Sequence, residues 1–297
     1  QVGTLKLTSG ATSTESILVS PGATLAFQGT GTYNINGGNY DLDGTTYIDS
    51  SSATVNLNIA ASTNELKLMN GILGGSGDVT IDGLFTWWRG SAVGSGTLRA
   101  NGGLIIDDGS PTGTFVLRLD GWRLVNAAQA TFSDGSFWAS NGAVIDNLTN
   151  ATFDLQADSS FMFRATGDRG TFNNHGRLTK TAGTGRTDFL GNLNNAGTVE
   201  VTSGTLGLSY APAQVSGQTL TGGTWIVRDA ILAMDSVALT AIGEDAVVTL
   251  DGPAATFPAI DGLASNDGLL SIIGGKAFET VGHLANTGLI EIEWIGK

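Results

Sequence analysis

The sequence predicts an all-β chain wound into a right-handed parallel β-helix, a β-solenoid with coils of about 20–24 residues. Three observations predict it. A motif recurs at that period, apolar residues alternate over only four to six positions at a time, and glycine or asparagine stands at nearly every junction between such runs.

The repeat is plainest in the middle of the chain. Thr171-Phe172-Asn173-Asn174-His175-Gly176-Arg177-Leu178-Thr179-Lys180 aligns, 21 residues on, with Asn192-Leu193-Asn194-Asn195-Ala196-Gly197-Thr198-Val199-Glu200-Val201. Backwards, Leu124-Val125-Asn126-Ala127 and Leu148-Thr149-Asn150-Ala151 precede Phe172-Asn173-Asn174 at 24-residue steps. Forwards, Leu220-Thr221-Gly222-Gly223-Thr224 continues the frame with glycine in the asparagine slot, and Asn266 recurs 20 residues later as Asn286. Stacked coils bring equivalent positions into columns. The expected columns are an asparagine ladder of Asn126, Asn150, Asn174, Asn195, Asn266 and Asn286, and an interior line of Leu124, Leu148, Phe172 and Leu193.

The alternation is that of half-buried strands, as in Gly3-Thr4-Leu5-Lys6-Leu7-Thr8 and Thr198-Val199-Glu200-Val201, and no amphipathic helix fits. The 44 glycines supply corners, and only five prolines interrupt the ladders. Roughly 13 coils, on the order of 60 Å in all, follow from the strand spacing, and the crossover rule gives the right hand.

In chain order, short strands are expected at residues 5–7, 17–19, 25–27, 33–35, 47–48, 55–59, 66–68 and 79–81. Residues 83–123 carry most of the large aromatic and cationic side chains. The most regular repeats span 83–225, and 230–262, rich in alanine with Pro253 and Pro258, is the irregular part where a loop or short helix belongs. The repeat resumes and ends on Ile292-Glu293-Trp294-Ile295, a strand with no cap after it, which invites further coils or a neighbouring chain. Residues 1–297 form one continuous solenoid, and the start at Gln1 without Met suggests a segment of something longer.

Composition narrows the function. A net charge of -13 with only 14 basic residues argues against nucleic acid and against docking on an anionic membrane, and is compatible with bound Ca²⁺. The absence of cysteine excludes disulfides and thiol chemistry, and no apolar run is long enough to span a membrane. Gly74-Gly75-Ser76-Gly77-Asp78 is similar to a calcium-binding nonapeptide, but its Asp stands one place early and the unit is not repeated in tandem, so it reads as a glycine corner. Asn147-Leu148-Thr149 and Asn150-Ala151-Thr152 have the form of glycan acceptors and read more simply as ladder and corner residues. His175 and His283 stand alone; no cofactor is expected.

The strings around Phe172-Asn173-Asn174-His175-Gly176, Leu193-Asn194-Asn195-Ala196-Gly197 and Asn141-Gly142-Ala143-Val144-Ile145-Asp146-Asn147 resemble the repeats of large bacterial secreted surface proteins of the adhesin-like β-solenoid type. The resemblance covers most of residues 83–225. It implies an extracellular rod at the cell surface, used for attachment or building, with no shared catalytic residues.

An enzymatic reading needs carboxylates, or Ca²⁺ with arginine, on one exposed face. Asp107, Asp108, Arg118, Asp120 and Arg123 are the best candidate cluster for a polysaccharide lyase or hydrolase, and Arg164, Asp168, Arg169, Arg186 and Asp188 a second. Trp87, Trp88, Trp122 and Trp138 would then form a sugar-stacking platform. The competing account makes the aspartates turn residues, pairs the arginines with them along outer columns, and puts the tryptophans into wide coil corners. The expectation is therefore a non-enzymatic stalk, fibre or adhesin segment that self-associates through its ends, with polysaccharide binding or cleavage as the alternative.

Overall fold

The structure, a computed structural model, describes residues 3–109 and 115–293. Short strands pair in parallel with the strands one coil before and one coil after, giving a β-solenoid of about 14 turns. The coil length varies more than expected, from 19 residues between the paired Leu66 and Phe85 to 26 between Leu104 and Ala130. Trp294 and Ile295, expected in the last strand, lie outside the described residues.

Through the middle of the chain each coil has three strands, so the rod has three faces. The first is built from Thr97–Ala100, Arg123–Asn126, Val144–Asn147, Thr171–Asn174 and Asn192–Asn195. The second runs through Phe85–Trp87, Leu104–Ile106, Gln129–Phe132, Thr152–Leu155, Arg177–Lys180 and Thr198–Val201. The third runs through Ser91–Gly94, Val116–Asp120, Ser136–Ser140, Ser160–Phe163, Arg186–Phe189 and Thr205–Leu208.

Nearer the start the strands run on round the corners, so that Tyr40–Leu57 takes 18 residues without a break and joins several of the expected short strands. The irregular 230–262 region does hold a short 3-10 helix, Pro258–Ile260, while Ala241–Asp251 stays in the stack. Val215–Ser216 folds back antiparallel on Thr219–Arg228, against the parallel rule elsewhere.

Alternation puts every second side chain inside. On the second face the inward column runs Phe85, Leu104, Ala130, Phe153, Leu178, Val199, each fully or almost fully buried. Where the coils are widest the interior is filled with rings. Phe161 touches Phe132 at 5.3 Å, Phe137 at 5.3 Å, Phe153 at 5.4 Å and Phe189 at 5.6 Å between centroids. A ring with neighbours in the coils on both sides leaves little room for collapse, so Phe161→Leu is expected to cost ~1–2 kcal/mol. An unchanged urea midpoint would show that this column packs loosely.

The asparagine ladder is present with one rung different from expectation. Asn126 Nδ2 donates to Asn147 Oδ1 at 2.9 Å, Asn147 to Asn174 at 2.8 Å, and Asn174 to Asn195 at 2.8 Å. Each amide also donates to a backbone carbonyl one coil on, Asn147 to Arg177 O and Asn174 to Thr198 O, both at 2.9 Å. All four side chains are buried.

The second rung is thus Asn147, and Asn150 is an exposed turn residue with φ +69°. Likewise Ile145, in register with Leu124 and Phe172, occupies the interior place expected of Leu148. The reason is local. Four residues separate Val144–Asn147 from Thr152–Leu155, where two suffice between Thr171–Asn174 and Arg177–Lys180, so an even spacing of the repeat misplaces this coil by three.

Beyond Asn195 the ladder stops against Gly223, where a Cβ would fall 2.7 Å from the Asn195 amide nitrogen. It resumes as Asn266, whose Nδ2 donates to Asn286 Oδ1 at 2.7 Å. Ile242 is the coil neighbour below Asn266, so nothing there donates to Asn266 Oδ1, and this buried oxygen is left unpartnered.

Candidate functional site

The aromatic and cationic stretch of residues 83–138 divides between inside and outside. Trp87 is the last residue of an alternating strand and points inward, fully buried, with its ring 5.5 Å from Phe137. Trp122 sits in a corner, also fully buried, beneath Gly94 and Gly96, and a Cβ on Gly94 would overlap its indole nitrogen. These two tryptophans are core, and a sugar platform containing them is ruled out.

Trp88, one residue past the strand, is 43% exposed. Trp138 is half-buried on the third face, in register with Arg118 in the preceding coil and Phe163 in the following one. The Arg118 guanidinium lies 5.4 Å from the Trp138 ring, and the Phe163 ring lies 5.1 Å away. Of the four candidates, then, only Trp88 and Trp138 reach the surface.

The carboxylates and arginines proposed as a catalytic cluster are spread over two faces and the corners between them. Asp107 Oδ1 accepts from Gly109 N at 2.7 Å and Oδ2 from Ser133 Oγ at 2.8 Å. Asp108 is fully buried, its Oδ2 accepting from Phe115 N at 3.0 Å while its carbonyl accepts from Arg89 Nε at 2.9 Å. Asp120 on the third face accepts from Asn141 Nδ2 at 2.5 Å. Arg123, round the next corner on the first face, donates to Asp146 at 2.5 Å. Each aspartate is thus engaged in a turn or a rung, as the competing account has it.

In the second group only Arg186 and Asp188 meet, at 2.5 Å, with Asp235 as a further partner of Arg186. Arg164 donates to Gly167 O, and Asp168 is exposed. Arg169 donates to Asn192 Oδ1 and stacks 3.4 Å over the Tyr210 ring. Among the described residues no three His, Cys, Asp or Glu side chains are grouped so as to hold a metal ion.

Four features escaped the sequence reading. The first is an outer ladder on the first face: Asn173 Nδ2 donates to Asp146 Oδ1 at 2.9 Å, Asn194 donates to Asn173, and Gln214 donates to Asn194 Oδ1 at 2.8 Å. The second is a chain of alternating charge on the second face, Arg177, Glu200, Arg228 and Asp251, in which Arg228 Nε meets Glu200 at 2.8 Å.

The third is Lys180, whose inward side chain is fully buried and whose ammonium donates to Asp158 Oδ1 at 2.8 Å and to Ala182 O at 2.9 Å. The fourth is a recess on the corner between the second and third faces, formed around Tyr47, Asp49, Asn70 and Trp88. Burial and the neighbouring Asp49 push the Tyr47 phenol up to about 12, so it remains a proton donor throughout the ordinary pH range.

No family model matches the chain, and neither a curated protein nor a solved structure is found to be similar to it. Function therefore has to be argued from the chain's own geometry. Among the described residues no helix is long and apolar enough to cross a membrane.

Proposed function

We propose that this chain is a non-enzymatic structural segment, a piece of a stalk or fibre at the bacterial cell surface, whose coils stack end to end on further coils. The observation that carries the reading is the parallel stack itself, which runs from Thr4–Ser13 to Leu289–Ile292 through about 14 turns with its interior filled by columns of apolar side chains. In such a stack each coil is held by its neighbours, so length can be added without changing the fold. The likeness of its repeats to adhesin-type surface proteins supports an extracellular setting and an attachment role.

The end coils support stacking. Leu5 and Leu18 are 58% and 73% exposed at one end, and Leu289 and Ile292 are 55% and 78% exposed at the other. Shallow apolar recesses lie there, of about 360 Å³ beside Ile17 and Leu25 and about 370 Å³ beside Ile272 and Phe278. An unpaired strand edge above an uncovered core is a template for another strand. Cleavage of polysaccharide would need the Asp107, Asp108, Arg118, Asp120 and Arg123 group to act on one substrate, and their separate engagement argues against it.

Electron microscopy of the purified chain over a range of concentrations, with and without Ca²⁺, tests the proposal. End-to-end rods or filaments are expected, shortened by a charge placed at Leu18 or Ile292. Single rods on the order of 65 Å at every concentration would overturn stacking through these ends.

A further inference from the structure

The recess on the corner between the second and third faces has a volume of about 280 Å³. Four successive coils contribute to it: Tyr47 and Asp49, then Asn70, then Trp88 and Arg89, then Gly109. Asp49 and Asn70 are register partners, so a carboxylate and an amide stand side by side, one coil apart.

Their remaining hydrogen-bonding capacity is complementary. The Tyr47 hydroxyl donates to Asp49 Oδ2 at 2.8 Å and fixes that carboxylate, while among the described residues Oδ1 accepts nothing. Asn70 Oδ1 accepts from Gly71 N at 2.9 Å, which fixes the amide and leaves Nδ2 to donate. Trp88 supplies an exposed indole, backed by Gly109, whose added Cβ would lie 3.4 Å from the ring. Arg89 is pinned as wall, its Nε on Asp108 O and its guanidinium 3.9 Å over the Phe115 ring.

An aromatic surface, one free acceptor and one free donor at adjacent positions, and a volume at the lower limit of small-molecule pockets describe a ligand that is apolar on one side, carries neighbouring hydroxyls on its edge and is small. We infer that this recess binds a single uncharged pyranose ring, with the C–H face of the sugar on Trp88, its hydroxyls donating to Asp49, and one hydroxyl oxygen accepting from Asn70. Asp49 disfavours a uronate in the same place, and Arg89, already engaged, does not compensate it. The site goes beyond the structural role, since a rod needs no ligand, and it is read on single rods whether or not they stack.

Saturation-transfer NMR with the methyl α- and β-pyranosides of glucose, galactose and mannose, alongside the methyl glycosides of glucuronic and galacturonic acid, tests it. Transfer to at least one neutral glycoside is expected. The dissociation constant should rise roughly tenfold or more in Trp88→Ala and again in Asp49→Ala, and stay unchanged in Trp138→Ala. Asn70→Leu is a further variant of the same wall, and thermal melting reports that each variant is folded. Transfer that survives Trp88→Ala, transfer confined to the uronates, or none to any glycoside would overturn the inference.

Discussion

Replacing Asn174 by leucine is expected to lower stability by ~3–5 kcal/mol, because a buried amide with partners in two directions is lost. Asn174 Oδ1 accepts from Asn147, and its Nδ2 donates both to Asn195 Oδ1 and to the Thr198 carbonyl. Leucine has a similar volume and no polar atom, so Asn195 Oδ1 and Thr198 O lose a donor in a place that water does not reach. Asn147 keeps its bond to Arg177 O, which limits the loss on that side.

Asn150→Gly is the matched control. Asn150 lies outside the ladder with φ +69°, a conformation glycine adopts freely, so the change is expected to stay within about 0.5 kcal/mol. Urea unfolding of both variants checks the pair. Equal midpoints would mean that the ladder adds nothing, and a larger loss at Asn150 would restore the evenly spaced frame.

Much of the fold was legible because a solenoid writes its period into the sequence. The doublets Asn173-Asn174 and Asn194-Asn195 fix one corner in successive coils, and the strands that follow each need only alternation. What alternation cannot show is how many residues a turn takes. The four-residue turn after Asn147 is filled by Leu148, Thr149, Asn150 and Ala151, which reproduces a leucine and an asparagine at the spacing of the true motif and so hides the shift.

The surface was less legible for a related reason. Trp87 and Trp88 differ by one place in a strand, and the place alone decides which is core and which is exposed. The recess at Trp88 draws on residues about 20 apart that come together only when the coils are in register, and Asp49 meets Asn70 across a register shift that no regular period predicts. Two signals were nonetheless in the repeat. The first asparagine of each doublet forms the outer ladder with Asp146, and Lys180 aligns with Val201, an interior position.

That buried lysine gives the second large effect. Lys180 is fully buried and Asp158 holds its ammonium from the corner of the preceding coil, so Asp158→Ala would strand a charge in the core. A buried pair broken from one side typically loses 3–5 kcal/mol. Asp158 is about a third exposed, which lets water approach, so ~2–4 kcal/mol is expected here.

The carboxylate also organises the next turn. Its Oδ2 accepts from Gly185 N at 2.8 Å, and Gly183, at φ +75°, passes so close that a Cβ there would overlap the carboxylate. Lys180→Met removes the charge while keeping the volume, and should fall within about 1 kcal/mol of the parent or exceed it. In that background Asp158→Ala should cost only its turn contacts, about 1 kcal/mol.

The pH dependence follows from the same contact. Burial raises the Asp158 pKa, but the Lys180 ammonium and the backbone N–H groups of Gly185 and Thr184 outweigh it and hold the carboxyl below the usual aspartate range. A group depressed in the folded state contributes fully above its unfolded pKa and loses that contribution as pH falls through the folded one. The parent should therefore lose stability on acidification below about pH 4 more steeply than Lys180→Met does. Parallel acid curves for the two proteins, or a double variant as damaged as Asp158→Ala alone, would show that the ammonium is not what makes Asp158 indispensable.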